Sequence, residues 1–235
     1  MPRPIELEWK IYRAKQHFDE LNGEMLKWWE SEPGKLVHAP ESTSEKPIYT
    51  FDLKTPVPAR FGLMAGDCLQ NLRSVLDYLV WQLVIANKKE PGRSNAFPVC
   101  LTPESYRKAI DNGRLKGVDP EAKEVIKNLQ PAFLPKGPNP KAIYVLDELT
   151  NENKHRTPLI TGFVTHFKTD EPPPFRHVEL EVTRTRNGKT IPGERIIAYV
   201  TYKHPLVKGL EIMSVLDALF LAVREDSLPL FDRFF

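Results

Sequence analysis

The sequence predicts a single α+β domain with a mainly α-helical core, a small antiparallel β-sheet in its C-terminal third and a final helix. Three observations lead to this prediction. Apolar residues recur at helical spacing over most of the first 157 residues, alternate with polar residues after Pro158, and return to helical spacing near the end. One core can organise 235 residues, so we expect one domain over 1–235, helical over about 1–157, with the sheet and terminal helix over about 158–235.

Two elements are predicted before residue 60. Apolar residues with charges between them fall near helical spacing from Pro4 to about Glu30, and a proline suits the first turn of a helix. The segment Glu32-Pro-Gly ends this helix. Apolar and polar residues then alternate over Ile48–Leu53, which predicts a short strand.

The strongest helical pattern runs from about Arg60 to Asn87. Its apolar residues form one stripe, made of Cys68, Leu69, Leu72, Val75, Leu76, Leu79, Val80 and Leu83. Steps of three and four residues bring side chains to one side of a helix, so the opposite face is polar. The members of this polar face are Asp67, Asn71, Ser74, Asp77 and Tyr78. We expect Arg73 at its edge.

Three shorter helices are predicted next. Prolines open the two over Pro103–Ile110 and Pro120–Leu129, which we expect to cover the core. After a stretch rich in proline and glycine, a third helix runs toward Asn151 and stops before Pro158. The polar segment Thr150–Arg156 stands at the C-terminal end of this third helix.

The pattern changes after Pro158. Alternation predicts an antiparallel sheet with a hairpin turn at Asn187-Gly188, and helical spacing over Leu210–Val223 predicts the last helix. The expected strands are Leu159–Phe167, Val178–Val182 and Ile196–Tyr202.

Composition and charge narrow the class of protein. Hydrophobic residues make up 41% and charged residues 27%, which are ordinary globular values. The formal net charge is +2 and basic residues are scattered among acids, so nucleic acid is neither indicated nor excluded as a partner. Cys68 and Cys100 are the only cysteines in the sequence, which fits a reducing compartment.

The start of the chain lacks a signal peptide pattern, and no apolar run is long enough to cross a bilayer. We therefore expect a cytoplasmic protein that does not enter the membrane.

Two sets of aromatic residues need a place in the fold. Tryptophans at helical spacing are more often core or interface anchors than base-stacking platforms, so we favour the core for all four. They are Trp9, Trp28, Trp29 and Trp81. The terminal residues Phe231, Phe234 and Phe235 must be buried as well, either within the chain or against another copy.

Asn151 and His155 form the most interesting polar pair. They are four residues apart and share a face if the helix extends that far, and a histidine exchanges protons near neutral pH. Beside the helix over 60–87, a carboxylate could hold the imidazole while Arg73 or Arg156 binds an anionic group. The supporting polar network would comprise Asp67, Asn71, Asp77 and Glu148.

The same residues also have an ordinary structural interpretation. A histidine near a helix C-terminus is favoured by the helix dipole, and Asp or Asn on a polar face is usually solvated. Glu152-x-x-His155 has the spacing of a di-iron ligand pair, but such centres need a second pair and two further glutamates, so no metal or cofactor is expected. The usual hydrolase, zinc-protease and dinucleotide-binding motifs do not occur.

Two resemblances add to this interpretation. The segments from Gly66 to Trp81, at Phe97-Pro98 and from Glu148 to Arg156 resemble a family of uncharacterised bacterial proteins, to which no activity is attached. Asn151-x-x-x-His155 also resembles the Arg-Asn-x-x-x-His motif of the HEPN superfamily, helical domains that include many metal-independent ribonucleases. Thr150 stands where that motif has arginine, so the resemblance requires Arg73 or Arg156 to supply the charge.

Two functions therefore stay open. The first is an HEPN-like, metal-independent endoribonuclease or RNA-binding protein, dimeric, in which His155 acts on the 2′-hydroxyl or the leaving oxygen. Arg156 or Arg73 would stabilise the developing charge. The second is a non-catalytic binding protein, self-associating or bound to a partner, in which the same polar groups fix two helices.

Overall fold

The computed structural model describes seven stretches of the chain. They are residues 3–38, 49–133, 140–155, 160–165, 178–186, 189–202 and 211–235, and side chains are described for 3–35, 52–133, 141–152 and 211–235. Arg156, the turn Asn187-Gly188 and the His155 side chain lie outside these residues. Predictions that depend on them stay predictions.

The described part of the chain is dominated by helices, as the sequence predicts. The six α-helices are α1 (Ile5–Glu30), α2 (Arg60–Ala86), α3 (Pro103–Asp111), α4 (Pro120–Asn128), α5 (Pro140–His155) and α6 (Ile212–Leu221). A 3₁₀ turn follows α4 at Pro131–Phe133. After α6 the chain continues as a π-helical turn, Ala222–Ser227, and a 3₁₀ helix, Leu228–Phe234. The predicted helix ends lie within a few residues of those observed.

Local chemistry explains where α3 and α4 begin. The Thr102 side chain accepts a hydrogen bond from the Ser105 backbone, and the Ser105 hydroxyl accepts one from Thr102 N in return. The Asp119 carboxylate accepts from the backbone of Glu121 and Ala122 in the same way. These side chains satisfy N–H groups that have no partner within a first helical turn. A proline follows each cap, where a missing N–H does no harm.

Two antiparallel sheets accompany the helices in the described stretches. The first joins β1 (Gly34–His38) to β2 (Tyr49–Leu53), with Gly34 opposite Leu53. The second has the strand order β3 (Ile160–Thr165), β5 (Lys189–Tyr202), β4 (Val178–Arg186).

The sheet β1–β2 is not part of the predicted fold, which has one sheet, in the C-terminal third. β1 and β2 lie in the N-terminal part of the chain. The sequence indicated β2 and missed β1. Residues 34–38 carry no regular alternation, so their pairing with β2 has no local signal. The supported statement is that helices dominate a fold with a small antiparallel sheet.

Backbone contacts divide the chain into two compact units. The first comprises Met1–Phe18, Met64–Pro158 and Leu216–Phe235, and the second comprises Asp19–Leu63 and Leu159–Val215. The first unit has a core of fully buried side chains from α1, α2, α5 and the C-terminal segment. Its largest members are Leu7, Leu69, Leu72, Leu76, Leu79, Leu83, Phe97 and Phe231.

The second unit has an aromatic core. Trp28 packs against Trp29 with ring centroids 4.6 Å apart and meets Phe61 edge to face at 6.0 Å. All three side chains are buried, which confirms the core prediction for these two tryptophans. An ion pair between Arg60 and Glu24 lies at the surface of this unit, with nitrogen and oxygen 2.6 Å apart.

Candidate functional site

Arg73 of α2 is the centre of a polar cluster that joins three segments of the chain. Its guanidinium donates from Nε to Asp147 Oδ1 at 2.7 Å, from one terminal nitrogen to Asp77 Oδ1 at 2.8 Å, and from the other to the Phe97 backbone carbonyl at 2.9 Å. Asp147 lies on α5 and Asp77 one turn along α2. The cluster therefore ties α2 to α5 and to the loop at Phe97.

The acceptors of Arg73 are themselves held in place. The Asp77 carboxylate also accepts from Phe97 N at 2.9 Å, so Phe97 is bonded through both of its backbone groups. Asp147 Oδ2 accepts from Asn151 Nδ2 at 3.1 Å. Each of these hydrogen bonds pairs a donor and an acceptor that would otherwise require water. The side chains of the network are therefore held in defined positions.

Burial and charge define what this cluster can do. Burial alone lowers the pKa of the Arg73 guanidinium, but the charges and hydrogen bonds of Asp77 and Asp147 outweigh burial, so the net pKa is raised. The Arg73 side chain is 10% exposed, against 43% for Asp77 and 21% for Asp147. One cation faces two carboxylates, so the cluster does not present the positive charge that an anionic substrate requires.

The end of α5 carries the predicted pair. The helix extends to His155, so Asn151 and His155 lie on one helical face, as the sequence predicts. Asn151 is exposed and donates to Asp147. Thr150, which stands at the arginine position of the resembled motif, is buried and its hydroxyl donates to the Leu146 carbonyl. It therefore makes an internal helix contact.

The remaining predicted residues do not join Arg73. Asn71 donates from Nδ2 to the Asp67 backbone carbonyl on its own helix, 2.9 Å away, and Asp67 is exposed. Glu148 is half-buried and makes none of the hydrogen bonds or ion pairs found between described side chains. The structure thus brings Arg73, Asp77 and Asn151 together and leaves Asp67, Asn71 and Glu148 outside the cluster.

Sequence reasoning missed Asp147, which holds the cluster together. A signal for it exists, because Asp147, Asn151 and His155 are spaced by four residues and share one face of α5. The sequence predicts Arg73 at the edge of the polar face of α2, whereas the structure buries this residue. Arg73 is buried because α5 covers that side of α2.

Two of the four tryptophans correct the core prediction. Trp9 is 64% exposed and Trp81 is 40% exposed. Trp9 belongs to a row on α1 with Ile5 and Tyr12, which are 57% and 64% exposed. We call Ile5, Trp9 and Tyr12 the α1 row. It lies on the face of α1 opposite the buried residues, because its spacing of four and three residues follows the helical period.

A second exposed row lies on α2 and consists of Tyr78, Trp81 and Ile85. Lys10 Nζ of α1 lies 5.7 Å from the centre of the Tyr78 ring, so the two helices are neighbours in the first unit.

The terminal aromatic residues differ from one another in burial. Phe231 is fully buried within the chain, while Phe234 and Phe235 are partly exposed.

Comparison with protein families, with curated protein sequences and with solved structures gives no match. The two resemblances described above therefore stay predictions from sequence. None of the helices in the described ranges combines bilayer-spanning length with sufficient apolar character.

Proposed function

We propose that this chain is a non-catalytic binding protein that pairs with a second copy of itself through the α1 row. The observation that carries the proposal is the exposure of Ile5, Trp9 and Tyr12 in one line on a helix. Tryptophan and tyrosine are enriched in protein interfaces and depleted from surfaces that face water only. The engagement of Arg73 by two carboxylates supports a structural use of the predicted polar site.

The charges beside the α1 row favour a second copy as the occupant. Glu6 precedes Trp9 by three residues and Arg13 follows it by four, so both lie on the same flank of the row. When two α1 helices meet antiparallel about Trp9, Glu6 of each copy faces Arg13 of the other. A two-fold interface requires this self-complementarity, because each end of the surface meets the opposite end of its partner.

Because Phe231 is buried, the C-terminal segment is not the surface that we propose for pairing. The C-terminal segment packs on its own chain, where Arg3 donates to both carboxylate oxygens of Asp232 at 2.8 and 3.1 Å. The α1 row and the row of Tyr78, Trp81 and Ile85 on α2 remain exposed on the first unit. A cytoplasmic location, expected from cysteine usage, is part of the proposal.

The experiment is the solution mass of the protein as a function of concentration, by sedimentation equilibrium. The variant Trp9→Ala with Tyr12→Ala should weaken pairing by about 30-fold or more, because an aromatic anchor at an interface centre contributes ~2 kcal/mol or more. Leu101→Ala removes an exposed apolar side chain that belongs to neither row and serves as the control. A parent protein that stays monomeric throughout would refute the proposal.

Charge reversal separates a second copy from any other partner. Glu6→Arg and Arg13→Glu should each weaken self-pairing, whereas the double variant restores opposite charges across the two-fold and should recover it. Failure of the double variant to recover, while each single variant weakens pairing, contradicts an antiparallel pairing about Trp9.

An endoribonuclease is the second candidate, favoured by the extension of α5 through His155. Asn151 and His155 share one face there, and Asn151 is exposed. His155 would move the proton of the 2′-hydroxyl or of the leaving oxygen, with Arg156 as the cation beside it. Arg73 is excluded from that role by its two carboxylate partners.

The test of this candidate is cleavage of a labelled mixed-sequence RNA by parent and His155→Ala proteins, each with and without chelator. Cleavage that survives chelation and disappears in His155→Ala supports the ribonuclease. Equal cleavage by both proteins, or none by either, removes it.

A further inference from the structure

Two loops of the first unit are fastened to each other beyond the end of α2. Asn87 donates from Nδ2 to the Gly117 carbonyl at 3.0 Å, and Asn95 donates from Nδ2 to the carbonyls of Arg114 and Lys116 at 3.2 and 2.9 Å. These bonds join residues 87–95 to residues 112–117. The backbone bond from Ala96 N to the Arg114 carbonyl, at 3.2 Å, closes the pair.

The two fastened loops carry five exposed basic side chains. We call this set the basic loop surface, and it consists of Lys88, Lys89, Arg93, Arg114 and Lys116. Lys89 lies against the second loop, because a Cβ placed on Gly117 would be 3.3 Å from Lys89 Cβ. Arg93 precedes Ser94, whose hydroxyl donates to the Gly113 carbonyl next to Arg114.

The positive charge of this surface is not neutralised by ion pairs within the described part of the chain. All five cations are exposed, and none of them pairs with an acid whose side chain is described. The acid within the two loops is Glu90. Five cations against one acid leave +4 on two short loops, whereas the whole chain carries +2. The fold places the basic residues of 87–95 next to those of 112–117, although the two segments are separate in the sequence.

We propose that the basic loop surface binds the phosphate backbone of a nucleic acid. Exposed lysine and arginine side chains displace the counterions that surround such a backbone, and this displacement drives binding without sequence preference. An anionic membrane would also attract the charge, but membrane-binding surfaces add bulky apolar side chains that insert between lipids. The two loops expose none, since their one large apolar residue, Leu115, is buried. This inference is independent of self-pairing through the α1 row.

The experiment measures binding of the full chain to labelled single-stranded RNA and to duplex DNA by fluorescence anisotropy over a salt series. The test variant carries Lys88→Gln, Lys89→Gln and Lys116→Gln. The control variant carries Lys35→Gln, Lys54→Gln and Lys141→Gln, which removes the same charge from exposed lysines elsewhere. Far-UV circular dichroism establishes that both variants are folded.

The test variant should bind at least tenfold more weakly at low salt than the parent, while the control stays within about threefold. Its salt dependence should also fall, because each lost phosphate contact removes about 0.7–0.9 from the slope of log K against log salt. The RNA and DNA arms show which nucleic acid is preferred. Absence of binding to both, equal loss in the two variants, or binding only to anionic lipid vesicles would overturn the proposal.

Discussion

Replacement of Arg73 by methionine should destabilise the protein strongly, because the cluster around it is structural. Methionine keeps most of the length of the side chain and removes the three hydrogen bonds to Asp147, Asp77 and Phe97. The two carboxylates are then left near each other without their shared cation. Breaking a buried ion pair in this way typically destabilises by ~3–5 kcal/mol, and the partial exposure of Asp77 and Asp147 places our expectation near ~3 kcal/mol.

The assay is urea unfolding of parent and Arg73→Met proteins, followed by circular dichroism. Arg107→Met, at an exposed position of α3, is the matched control and should change stability by less than ~0.5 kcal/mol. A parent domain has only ~5–15 kcal/mol of stability, so the predicted loss is readily measured.

The Asp147→Ala variant sharpens the test. It leaves the buried guanidinium with one carboxylate, so it should destabilise by ~2–3 kcal/mol, and the double variant should lose less than the sum of the two single losses. A loss below ~0.5 kcal/mol in Arg73→Met, together with additive effects in the double variant, would refute a structural role.

Three further predictions concern single residues. Burial, helped by Glu124, raises the pKa of Tyr106 to about 12, so Tyr106 contributes stability that is fully present below pH ~10 and is lost toward pH 12. Partial solvent contact limits this contribution to ~1–2 kcal/mol, and Tyr106→Phe should flatten the alkaline loss in unfolding measured against pH. Gly117→Ala should destabilise by ~2 kcal/mol, because Gly117 has φ of +84° and a Cβ would lie 2.9 Å from Val84, whereas Gly92→Ala meets open space and should be neutral in thermal unfolding. Asp119→Ala removes the cap of α4 and should lower stability by ~1 kcal/mol in urea, with Asp119→Asn retaining most of it.

The helices could be predicted from the sequence because periodicity is local information. The stripe through Leu69, Leu72 and Leu76 is fully buried, and prolines 103 and 120 open their helices as expected. Strand β1 could not be predicted in this way. Its partner β2 lies beyond a segment of ten residues, and no pattern within residues 34–38 specifies that pairing.

The polar site was predictable only in part. Periodicity shows which residues share a face, so Asp77 and Asn151 were expected near a partner helix. It does not show which face that helix covers. The structure reveals that α5 covers the side of α2 with Arg73, and this choice buries Arg73 against Asp147 while Asp67 and Asn71 stay outside the cluster.

The exposed tryptophans illustrate the same limit. Trp9 and Trp28 both stand at helical positions within α1, yet the first is exposed and the second buried. Composition predicts that an aromatic residue is buried somewhere, either in its own chain or in an assembly. Trp9 is 64% exposed among the described residues, which is the reason for proposing a partner.

The most direct measurement for the proposed pairing is disulfide trapping with the double variant Glu6→Cys, Arg13→Cys. The two positions are seven residues apart on one helix, or about 10 Å, which is too far for a disulfide within one chain. Antiparallel pairing about Trp9 brings position 6 of one copy opposite position 13 of the other, and the natural Cys68 and Cys100 are buried. We predict that oxidation gives a covalent dimer on non-reducing gels, with little from either single variant. An oxidised double variant that remains monomeric at the highest concentration tested would contradict pairing through α1.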